Sequence, residues 1–95
     1  MESSQLLAAV ASELEVSEDD LVANGIRAFL ESQLRQVSAE ILEICGRYGV
    51  AGAEAMDARY RDGSLPEADS WRDLQRLDHL EYKRDQLGQL LARVG

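Results

Sequence analysis

The chain has 95 residues, of which 45% are apolar and only 5% aromatic, and its formal net charge is −8. A chain of this length makes one domain that buries a modest fraction of its surface, and its surplus acid argues against duplex nucleic acid, which is held by cations at phosphates. No apolar run approaches the roughly 20 residues of a membrane span, and the chain opens without the basic start and apolar core of a signal peptide, so the expected location is cytoplasmic.

The charge is unevenly placed. Residues 1–26 carry Glu2, Glu13, Glu15, Glu18, Asp19 and Asp20 with no Lys or Arg, and Arg27 is the first base. Such an acidic surface is either ordinary solvation or a match for a basic protein partner. The apolar content is mostly Leu and Ala, both good helix formers, and Pro66 is the only proline. An all-α fold follows.

In chain order, Leu6, Leu7, Val10 and Leu14 recur at helical spacing and predict a short amphipathic helix within residues 1–16. Ser17 is a favoured N-cap, Glu18, Asp19 and Asp20 put negative charge at the positive end of a helix dipole, and Val16 and Leu21 hold the two positions of a hydrophobic staple. A long helix over 17–49 follows, ending at Gly49. Its residues Leu30, Leu34, Val37, Ile41, Ile44 and Tyr48 are spaced four, three, four, three and four, a heptad seam. Val22 and Ile26 extend the apolar face toward the start. A short helix over 52–62 turns Met56 and Tyr60 inward, and the Asp62-Gly63-Ser64-Leu65-Pro66 segment breaks it. The second long helix, 66–94, carries Trp71 and Leu74 and then a second seam of Leu77, Leu80, Leu87, Leu91 and Val94, with Arg84 on a seam position. Asp73 with Arg76, and Glu81 with Arg84 and Asp85, are spaced as intrahelical ion pairs.

The two long helices predict an antiparallel hairpin, with a short N-terminal helix and a short connecting helix, in one helical domain over 1–95. A helix of about 45 Å needs another long helix to cover its seam. Two such layers paired in a symmetric homodimer would form a four-helix bundle, so Leu30, Leu34, Val37, Ile41, Ile44, Tyr48, Leu77, Leu80, Leu87 and Leu91 are the expected dimer seam.

Catalytic patterns are sparse. His79 is the only histidine, and the heptad phase places it off the seam, on a wet face. Cys45 is the only cysteine, so neither an intrachain disulfide nor a cysteine-based metal site is available. Glu40 with Glu43 and Asp78 with Glu81 lack the Glu-x-x-His pairs of carboxylate metal sites in bundles. The expectation is a non-catalytic protein with no cofactor and no metal. Trp71 is the residue to single out, either as a core anchor or as an interface hot spot flanked by Arg72 and Leu74. Leu6, Leu7, Val10 and Leu14 pose the same choice for the first helix, between folding back and docking on a partner.

The stretch from Leu14 to Leu30, with its Val16-Ser17 turn and Leu21-Val22-Ala23-Asn24-Gly25-Ile26-Arg27-Ala28-Phe29-Leu30 helix, resembles the two-helix part of ribbon-helix-helix antitoxins. That family reads DNA with a basic N-terminal strand, whereas Met1-Glu2-Ser3-Ser4-Gln5 here leads straight into a helix. The resemblance implies a protein that binds and neutralises a toxin without operator binding. A helical scaffold with no toxin and a degenerate DNA-binding regulator are the alternatives.

Overall fold

A computed structural model describes residues 2–94, so Met1, the first position of the expected N-terminal helix, and Gly95 lie outside the described residues. The described chain is helical throughout, in the order α1 (Ser3–Leu14), α2 (Glu18–Tyr48), α3 (Ala53–Arg61) and α4 (Glu67–Val94), with no strand among the described residues.

Local chemistry sets the boundaries. The Ser17 hydroxyl accepts from the Asp20 amide at 2.9 Å and opens α2. Gly49 closes it in the left-handed region at φ 64°, where glycine carries no Cβ penalty, and its amide donates to the Cys45 carbonyl. Beyond α3, Gly63 at φ 79° lets the chain reverse, while the Asp62 carboxylate accepts from the Ser64 amide at 2.8 Å. Hydrogen bonds from Ser64 hold the Asp62 carboxyl below its usual range. Glu15, the C-cap of α1, takes the same left-handed geometry at φ 58° without being glycine.

Helices α2 and α4 run antiparallel. Arg47 meets Asp73 and Glu40 meets Arg76 near the bend, whereas Ile26 and Leu30 lie beside Leu90 and Val94 at the far end. Between them Leu30, Val37, Ile41, Ile44 and Cys45 of α2 pack on Leu77, Leu80 and Leu87 of α4, and Ala53 and Met56 of α3 complete one core cluster. Met56 and Leu77 are fully enclosed. Leu34, Tyr48, Leu91 and Val94 pack half-buried against this cluster.

This arrangement corrects the seam assignment. The ten residues expected to join two copies instead join α2 to α4 within one chain, because each long helix supplies the apolar stripe that the other requires. The second seam is therefore not free for a dimer.

The molecule is long and thin, 61 × 25 × 16 Å, with a radius of gyration of 19.5 Å. A compact chain of this length has a radius near ~13 Å. One layer of paired helices accounts for the thinness. α1 rests on α2 with only Ala11 buried, outside the main core cluster.

Candidate interaction surfaces

Polar contacts fix the end of the hairpin that carries α3. Tyr48 donates its hydroxyl hydrogen to the Asp73 carboxylate, and Arg47 donates to the same oxygen at 2.7 Å. The Tyr48 hydrogen bond, aided by Arg47, holds the Asp73 carboxyl below its usual range, and that bond together with burial raises the Tyr48 phenol. Arg76 reaches across to Glu40 through Nε at 3.1 Å and Nη2 at 2.8 Å. Asp73 and Arg76 thus each find a partner on α2, not one another, because the antiparallel layer brings α2 charges nearer than the next helical turn. Glu81 also departs from the intrahelical pattern. Its carboxylate accepts from the Ala53 amide at 3.0 Å, supplying α3 with the N-cap that Gly52 has no side chain to provide. Arg84 keeps its contact with Asp85 at 3.1 Å on an exposed flank.

The serine at the start of α4 is anchored as well. Ser70 is buried; its hydroxyl donates to the Pro66 carbonyl at 2.8 Å and lies 2.6 Å from the Tyr60 hydroxyl.

Trp71, the next residue, is 48% exposed, which removes it from the core. It lines a groove of about 550 Å³ between α3 and α4, together with Leu74, Gln75, Ala53 and four acids, Glu54, Asp57, Asp78 and Glu81. No basic residue lines this groove. Arg72 is exposed one residue on, while Arg76 is engaged by Glu40.

The second surface lies at the other end of α2. Leu6 and Leu14 of α1 are 52% and 67% exposed, and Leu7 and Val10 are half-buried. Val16 in the turn after α1 and Val22, Ile26 and Phe29 in the first half of α2 are also exposed, with Leu90 of α4 near Ile26. The candidate partner residues therefore form two separate sets, Trp71, Arg72 and Leu74 at one end and the α1 leucines at the other. Phe29, at 63% exposure, belongs to the second set. Its signal was present in the sequence as the four-three spacing of Val22, Ile26 and Phe29, a stripe offset from the seam that begins at Leu30.

Chemistry-bearing groups do not converge. His79 is exposed, and Cys45 is buried among core residues, where desolvation and the nearby Glu81 raise its thiol above the usual range against an opposing effect of Arg84. No three His, Cys, Asp or Glu among the described residues come together to hold a metal ion. No described helix is long and apolar enough to cross a membrane.

Residues 1–94 match the family described as the Uncharacterized protein MJ0235 family. The chain belongs to that family. No curated protein and no solved structure matches it. The match takes in α1 to α4, so both exposed surfaces fall within the family's span.

Proposed function

We propose that the chain is a non-catalytic protein-interaction module that binds a basic protein partner, and that this partner is a toxin which it neutralises. The observation that carries the reading is the groove in which half-exposed Trp71 stands among four carboxylates with no base beside them. A lysine or arginine of a partner placed there would meet the face of an indole and negative charge together. The net charge of −8 would steer a basic protein toward it. The toxin assignment rests on the antitoxin-like stretch from Leu14 to Leu30. Residues 1–26 carry six acids and no base, which disfavours phosphate contact, so operator binding is not part of the proposal.

The test is co-expression with the product of the adjacent reading frame, followed by affinity capture and growth rescue. Capture and rescue are expected for the native chain. Trp71→Ala should weaken binding by more than about 30-fold, as for a hot-spot residue worth about 2 kcal/mol. Binding should also fall as salt rises, because exposed charges are screened. No capture, or capture indifferent to both Trp71→Ala and salt, overturns the reading.

A further inference from the structure

The exposed surface of the chain is 6798 Å². A compact monomer of 10.5 kDa exposes about 5,400 Å². The excess of about 1,400 Å² is larger than the roughly 800 Å² that each partner contributes to a standard stable interface. Much of the exposed apolar surface is gathered at one end. Of the ten large apolar residues left exposed, seven are Leu6, Leu14, Val16, Val22, Ile26, Phe29 and Leu90, at the end away from α3. Exposed apolar residues gathered at one end of a molecule point to an interface more than single scattered ones do.

The α2 stripe through this patch has a pattern of its own. Val22, Ile26, Phe29, Gln33 and Gln36 follow at four, three, four and three residues, a heptad phase distinct from the one that faces α4. No position on that stripe is charged. Gly25 adjoins it, and a Cβ added there would meet nothing within 4 Å, which leaves room for a close helix approach. Beside the stripe, Ile26, Leu30, Leu90 and Val94 line an open groove of about 360 Å³ with Arg93 at its rim.

These features select the occupant. A basic foreign partner would gain most where carboxylates stand, and this stripe has none. Two copies of a chain with net charge −8 repel at long range, and an uncharged strip is where they can approach with least opposing charge. We propose that the Val22–Ile26–Phe29 stripe is covered by the same stripe of a second copy, packed antiparallel so that Ile26 of each lies against Phe29 of the other. The contact is isologous: one self-complementary strip serves both copies and closes a two-fold dimer. α2 then uses one stripe for α4 of its own chain and another for α2 of the second copy. The Trp71 grooves are left free at the two outer ends.

Light scattering and sedimentation of the full chain, from low to high micromolar concentration, test this. The wild-type mass should be twice that of the chain. Phe29→Asp and Ile26→Asp should each give a monomer with unchanged helical circular dichroism, since both side chains are exposed and outside the core. Leu42→Asp, on another face of α2 and more exposed than either, should remain dimeric. As a measurement that does not depend on any aspartate variant folding, mixing Ile26→Cys with Phe29→Cys chains under oxidation should give a disulfide-linked pair in high yield, and either variant alone much less. A wild-type mass other than twice the chain's, a dimer that survives aspartate at both 26 and 29, or no preference for the mixed disulfide overturns the proposal. Trp71→Ala should leave the mass unchanged, so failure of partner binding and failure of dimerisation are read separately.

Discussion

Tyr48 and Asp73 form the contact on which the hairpin's polar side depends. The hydrogen bond requires a protonated phenol and an ionised carboxyl, so its contribution has an acid edge and an alkaline edge. The Asp73 carboxyl is depressed in the folded chain; its contribution is present above the unfolded value near ~3.9 and is lost as pH falls through the lower folded value. The Tyr48 phenol is raised, so its contribution is present below the unfolded value near ~10 and is lost as pH climbs through the folded one. Tyr48→Phe should cost about 1.5 to 3 kcal/mol at neutral pH in urea titrations, as for a hydrogen bond to a charged group. The gap in melting temperature between wild type and Asp73→Asn should close on acidification below the carboxylate range. A gap that stays constant down to strongly acid pH would show that this carboxylate does not carry the contact. Cys45 gives a second residue-level test. Buried and with its thiol raised, it should react with an aromatic disulfide reagent only at the rate of unfolding.

At the scale of elements, the ends of the helices differ in where their caps come from. Those of α2 are local, Ser17 and Gly49, and both stood plainly in the sequence. The start of α3 is capped from 28 residues away by Glu81. No local pattern announces it, because the capping carboxylate reaches the amide only after α3 has docked on α4. Glu81→Ala should destabilise the chain by about 1 kcal/mol in urea unfolding, and Glu81→Gln, which keeps an acceptor oxygen, should recover part of that. A Cβ on Gly52 would come within 2.7 Å of the same carboxylate, so Gly52→Ala should have a similar effect by displacing it. At the other end, Glu15 holds a left-handed conformation at φ 58° that suits glycine better. Glu15→Gly should stabilise α1 locally by about 1 kcal/mol, visible as slower amide exchange in residues 6–14.

Across the whole molecule, burial is concentrated in the half of the hairpin near the bend and thins toward α1. Leu77→Ala and Met56→Ala, at fully enclosed sites, should each cost about 2 to 5 kcal/mol. Leu14→Ala should change monomer stability by less than about 0.5 kcal/mol, because most of that side chain is already in water. The same contrast separates what the two levels of description hold. By itself the sequence determined the helical class, four helices whose bounds lie within two residues of those expected, and the stripes that pair α2 with α4. Apolar spacing, caps and turn residues are local properties that act before any tertiary contact forms. Only the tertiary structure decided how those stripes are spent. Once α4 occupies the Leu30 to Tyr48 seam, that seam cannot also join two copies, and the offset stripe at Val22, Ile26 and Phe29 is what remains uncovered. The docking of α3 on α4 likewise left Trp71 half-exposed at the edge of an acidic groove. Spacing alone shows which residues share a face; which neighbour covers that face depends on how the chain folds back, and that geometry placed both surfaces on the outside.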